Sequence, residues 1–170
     1  MQPLVLSAMS SANCLGTGVP VMIDALQNGH GGLTPCRFDV AAGLATYVGE
    51  VRGIDAVRMR QDLQAYDCRN NRIAQLALEQ DVFADAVASA RKTYGPTRIG
   101  VFVGTSTSGI FEGELAYRNR DSNGALPPEF QFSTTHDTSS IADFVQRYLH
   151  LSGPALTVSS ACASTAKVFG

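Results

Sequence analysis

The sequence predicts an α/β fold, on three observations. Short β-branched runs alternate with longer stretches of helical spacing. Arg98 to Val103 (RIGVFV) is apolar after its first residue, the pattern of a strand covered on both faces. Gly95-Pro96 and Gly153-Pro154 punctuate the chain where a helical pattern stops and a strand pattern starts.

Taken in order, Leu4 to Met9 reads as a first strand and a buried one. Val19 to Asn28 reads as a helix with Val19, Met22, Ile23 and Leu26 on one face, closed by Gly29. Gly29 to Pro35 is a glycine-rich turn, and Tyr47 to Val51 a short strand. Asp67 is placed to cap the longest helix, in which Ile73, Leu76, Ala77, Gln80, Phe83, Ala84 and Val87 recur at helical spacing up to Tyr94. The strand Arg98–Val103 ends at Gly104. Leu115 to Phe132 is polar and contains Gly and Pro, as expected of a surface excursion, and Ser139 to Leu149 returns to helical spacing. Ala155 to Ser159 is a strand, after which the chain meets Cys162 and runs into a helix.

Composition narrows the function classes. With 13 Lys+Arg against 15 Asp+Glu the net charge is −2, which encodes no broad attraction to phosphate backbones and argues against a nucleic-acid partner. Apolar runs such as Pro3 to Met9 are far shorter than the ~20 residues that cross a bilayer, so no membrane span is expected. The start MQPLVLSAMSSA lacks the basic stretch of a secretory signal. Cys14, Cys36, Cys68 and Cys162 form no CxxC pair and have no histidine at ligand spacing, so neither a metal, nor a cofactor, nor a disulfide framework is indicated. A reducing, cytoplasmic setting is expected.

Chemistry concentrates in GPALTVSSACASTAKVFG, Gly153 to Gly170. A buried strand, a tight turn of small residues and a helix starting at or near Cys162 form the geometry that makes a cysteine a nucleophile. Helix-terminal N–H groups favour a thiolate so placed and can bind a developing oxyanion, and small neighbours leave room for a long substrate. Spacing alone also allows a buried, inert thiol. Gly104-Thr-Ser-Thr-Ser-Gly109 is not a hydrolase elbow, since neither Ser106 nor Ser108 has glycine two residues away on both sides, and it is not a phosphate loop, since no GK[ST] follows. It reads as a pocket wall.

Ser160-Ala161-Cys162-Ala163-Ser164 resembles the nucleophile signature of the β-ketoacyl-acyl-carrier-protein synthases, condensing enzymes of the thiolase superfamily. RIGVFVG from Arg98 to Gly104 resembles that family's strand and glycine loop. Asn13 to Gly18, the following helix, Gly29 to Leu33 and Arg37-Phe38-Asp39 resemble its opening. The resemblance implies a thiolase-like fold, of which these residues form the first of two pseudo-symmetric halves, a mixed five-stranded sheet flanked by helices. Residues 1–170 would be an amino-terminal ketosynthase domain, with a carboxy-terminal half beyond Gly170.

It further implies that Cys162 accepts an acyl chain from an acyl carrier protein and passes it to a malonyl unit by decarboxylative Claisen condensation, in fatty acid or polyketide synthesis. The backbone N–H of Cys162 would be one oxyanion donor. Thr107 and Phe132 match positions lining the acyl pocket, Phe132 reaching across a homodimer interface, and side-chain size at Ala161 bears on which chains fit. A heterodimer with a ketosynthase-like subunit is the alternative assembly. The family's catalytic histidines belong to the carboxy-terminal half, and His30, His136 and His150 do not match them, reading as surface or turn residues. Basic carrier-docking positions hold Gln64 and Ala65, for which Arg58, Arg60, Arg69 or Arg72 could substitute. The rival readings are a non-catalytic partner of the chain-length-factor type and a thiolase or coenzyme-A-dependent synthase on the same fold.

Overall fold

A computed structural model describes residues 4–38 and 44–170. Asp39, the last residue of the Arg37-Phe38-Asp39 match, and Pro3, at the start of the first apolar run, lie outside them.

Two short antiparallel ladders build the amino-terminal side. β1 (Ala12–Asn13) pairs with β2 (Gly16–Thr17), and β3 (Leu33–Pro35) with β4 (Tyr47–Gly49). The glycine-rich turn is therefore shorter than its composition suggested, because Leu33 to Pro35 is extended and paired. Between the ladders runs α1 (Val19–Gln27), which has a proline in its first turn and no side-chain cap on its own sequence neighbours. Its terminal donor is met from afar: the Asp81 carboxylate accepts from Val19 N at 2.9 and 3.1 Å.

Asp81 also breaks the longest expected helix. α2 (Arg69–Leu78) and α3 (Phe83–Tyr94) are separate, and Asp81 and Val82 between them take φ of 56° and 54°. The apolar spacing stays in register across the break, so the periodicity alone reads as one helix. Cys68, not Asp67, sits at the N-cap of α2, and Asp67 instead accepts from Arg72 at 2.6 and 2.9 Å. Gly95 ends α3, as expected.

β5 (Val101–Gly104) and β6 (Ala155–Val158) pair in parallel, Val101 opposite Ala155. Between them come α4 (Ile110–Arg118), a single π-turn over Phe132–His136, and α5 (Ser140–Tyr148); α6 (Ser164–Val168) follows β6. The expected α/β layering is present, but the five-stranded sheet is not: the described residues form three separate two-stranded ladders. A strand is held by its neighbour's backbone groups, and Leu4 to Met9, expected as a buried strand, has no such neighbour among the described residues and is exposed, Val5 to 87%.

The core lies around α5. Phe144 is fully buried with Met59, Leu63 and Tyr66 on one side, while Ala142, Leu149 and Leu151 pack on Val101 on the other. Full burial of a side chain such as Phe144 contributes about 2–3 kcal/mol. Tyr66 turns its hydroxyl to Asp143, and burial together with that carboxylate pushes the phenol up to about 12. Arginines close the far end of α5: Arg60 donates to Tyr148 O (3.0 Å) and Arg147 O (3.3 Å), and Arg91 to Leu149 O (2.9 Å). α5 covers one face of the β5–β6 pair, and α6 meets the other only at Gly104. Val101 is buried against α5, whereas Phe102 and Leu156 remain 52% and 55% exposed, so β5 is not covered on both faces as its sequence predicted.

Candidate active site

β6 delivers the chain to a tight elbow. Ala161 takes φ of 47°, in the left-handed region that alanine seldom visits, and this turn sets Cys162 on the outside of the bend, exposed. The helix begins at Ser164 with Ala163 as N-cap, slightly later than expected, and is one short turn and a half. Ser164 is the pin of the elbow. Its buried Oγ accepts from Ser160 N at 2.8 Å and has two carbonyls within donor reach, Ala161 O at 2.7 Å and Thr105 O at 3.2 Å. Lys167 Nζ donates to Ser160 Oγ at 2.7 Å. Glycine at 104 permits this arrangement. A Cβ there would lie 2.7 Å from Thr165 N and Cα, so α6 rests directly on the strand backbone.

Thr105, bonded to the elbow, opens the loop that carries Thr107. Ser108 folds the loop back by donating its amide N–H to Thr105 Oγ1 (3.1 Å) and its hydroxyl to Asp137 O (3.1 Å). Thr107 and Phe132, assigned from different parts of the sequence, thereby meet: with Ser106, Ile110, His136, Asp137 and Thr138 they line one concavity of about 340 Å³. Cys162 and Ala161 are exposed on the neighbouring elbow and are not among the residues lining it. Two donors from Ser139, its hydroxyl above all, hold the Asp137 carboxyl below the usual carboxylate range. A second concavity of about 260 Å³, lined by Asp67, Glu112, Phe130 and Thr135 among others, lies against the same loop, so the Phe130–Thr138 segment borders both.

His30 and His150 are exposed. His136 is in a turn, as expected, yet its ring points inward onto Phe132, with centroids 5.2 Å apart. Sequence reasoning passed over it, although its spacing of one helical turn from Phe132 was a usable signal. The arginines offered for carrier docking are largely engaged: Arg60 pairs with Asp62, Arg69 with Asp55 and Arg72 with Asp67. Among the described residues Arg58 donates only to a backbone carbonyl, Asp55 O at 3.0 Å. Of the other thiols Cys68 is buried, which pushes it up to about 11, and Cys14 and Cys36 are half-buried.

Residues 60–170 match the family described as beta-ketoacyl synthase, N-terminal domain. The chain belongs to the β-ketoacyl synthase family. Its structure is similar to that of a ketosynthase, ApeO, solved in complex with its chain length factor, ApeC, from Xenorhabdus doucetiae. The TM-score is 0.75 at 27% identity, over 96% of this chain and 41% of that one. It also resembles a beta-ketoacyl synthase from Burkholderia phymatum STM815, with a TM-score of 0.68 at 19% identity over 96% and 40% of the two chains, a likeness of fold alone. The fold is thus thiolase-like, and this ketosynthase chain spans about two fifths of the length of those structures. No curated protein matches the sequence.

Proposed function

We propose that this chain supplies the acyl-accepting nucleophile of a condensing enzyme. The thiolate of Cys162 attacks the carbonyl of an acyl thioester on a carrier protein, and the carrier's thiolate leaves. A malonyl thioester then loses carbon dioxide, its carbanion attacks the acyl-enzyme carbonyl, and Cys162 departs as thiolate, leaving a β-ketoacyl product. The observation that carries this reading is the exposed Cys162 on a strained strand-to-helix elbow pinned by Ser164, in a chain of this family. His30, His136 and His150 do not match the histidines that the family uses for decarboxylation, and none of the three lies on the elbow. The carrier protein is the proposed partner, with Arg58 as the docking cation least engaged by carboxylates.

Incubation of the full-length protein with an acyl thioester, followed by peptide mapping, tests the reading. One acyl adduct on Cys162 is expected, with iodoacetamide labelling of the same residue at least tenfold faster than of buried Cys68, and loss of both in Cys162→Ala. An adduct spread evenly over the thiols, or an inert Cys162, would overturn it in favour of the non-catalytic partner. A second reading concerns assembly. Because the similar ketosynthase was solved with a chain length factor, we propose a heterodimer with a ketosynthase-like subunit as the alternative to a homodimer.

A further inference from the structure

His136 occupies a slot built for it. On one side its ring lies against Phe132, at 5.2 Å and 31°, with Phe130 at 6.1 Å. On the other side is Gly113 of α4, where any Cβ would collide with the imidazole Nδ1 and Cε1, so the glycine is what makes room for the ring. Nδ1 is shut off from solvent and has no hydrogen-bond partner among the described residues. A neutral imidazole carries a single N–H. Nδ1 goes unpartnered whichever nitrogen carries it, so the ring's hydrogen bonding is left to Nε2. Nε2 is not among the occluded, unpartnered atoms, and His136 lines the 340 Å³ concavity. Nε2 is thus the ring nitrogen available to that space, which the hydroxyl residues Ser106, Thr107 and Thr138 and the apolar Ile110 also line.

We propose that His136 is a specificity-determining residue of the acyl pocket, donating from Nε2 to a keto or hydroxyl oxygen borne by the acyl chain. The inference rests on the reading of this concavity as the pocket that serves Cys162. A saturated chain entering it would strip water from the imidazole N–H and the hydroxyls and return nothing, whereas an oxygen-bearing chain of equal length replaces the lost hydrogen bond. Phe132 and Ile110 supply the apolar surface for the carbon skeleton. The substrate class is accordingly an oxygenated acyl thioester.

The test uses the full-length protein with octanoyl-N-acetylcysteamine and a set of oxo-octanoyl analogues in which the ketone is moved along the chain, reading the rate of adduct formation on Cys162 by mass spectrometry. At one ketone position acylation should exceed that by octanoyl roughly tenfold, the size of one buried hydrogen bond left unmade. His136→Phe, which keeps a ring against Phe132 and removes the donor, should bring that ratio to about one. His136→Gln, which restores an N–H donor, should recover part of the preference and covers the case in which the phenylalanine variant does not fold. Octanoyl acylation with no preferred ketone position, or a preference that persists in His136→Phe, overturns the role of His136 alone. Absence of acylation by every thioester overturns the acyl-acceptor reading beneath it.

Discussion

Gly104 and Ser164 together fix where the thiol sits, and they do so by opposite means. Ser164 adds bonds, tying the amide of Ser160 and the carbonyls of Ala161 and Thr105 to one hydroxyl; Gly104 removes atoms, so that Thr165 can touch the strand. Gly104→Ala should push α6 away from β5, lowering stability by about 1–3 kcal/mol and slowing Cys162 acylation more than tenfold. Gly31→Ala, where nothing lies within 4 Å, is the matched control and should change neither. Thermal melting and the adduct rate read both variants, and equal behaviour would remove the close contact from the account. At this scale the sequence singled out Cys162, Thr107, Phe132 and Ala161, and the structure brings Thr107 and Phe132 into one concavity while leaving Cys162 and Ala161 outside its lining. Two things were hidden. Ala161 has no chemical feature that codes a positive φ, and the inward turn of His136 depends on a glycine 23 positions earlier whose role only the packed structure reveals.

Elements here are joined by contacts far apart in sequence. The amide at the start of α1 has no cap nearby and relies on Asp81, which leaves the α2–α3 line to reach it. Asp81→Ala should therefore cost about 1–2 kcal/mol and raise hydrogen exchange in α1 selectively, leaving α5 protected. Exchange that rises equally in both helices would mean that the contact holds the whole molecule and not one element. The same contact explains where the helix pattern misled. Ile73 to Val87 keep a helical period through the break, and β-branched Val82 gives no hint of the left-handed backbone it adopts. The helices at 19–27 and 140–148 were legible from their helical spacing, and the strands at 101–104 and 155–158 from short apolar runs next to Gly104 and Gly153-Pro154. Pairing between strands was not, since alternation specifies a face but not a neighbour.

The molecule as a whole presents large apolar side chains in sheets and helices alike: Phe102 and Leu156 on β5–β6, Leu26 on α1, and Leu4 to Leu6 at the start. Phe102 and Leu156 are register partners, and such a pair of exposed large side chains on one sheet face is the part of this surface suited to being covered. The 170-residue chain should self-associate at micromolar concentration in sedimentation velocity, and Phe102→Lys with Leu156→Lys should shift it toward monomer; a monomeric wild-type chain at tens of micromolar would sink this expectation. The parallel pairing of β5 with β6 has a consequence in time. Val101 leaves the ribosome well before its partner Ala155, so the earlier strand must wait with its apolar side uncovered while the excursion, the π-turn and α5 are still being made. Closing so long a loop is slow, and the elbow that bears Cys162 can take shape only after it closes. Until that pairing forms, a newborn chain holds the thiol without the surroundings that position it.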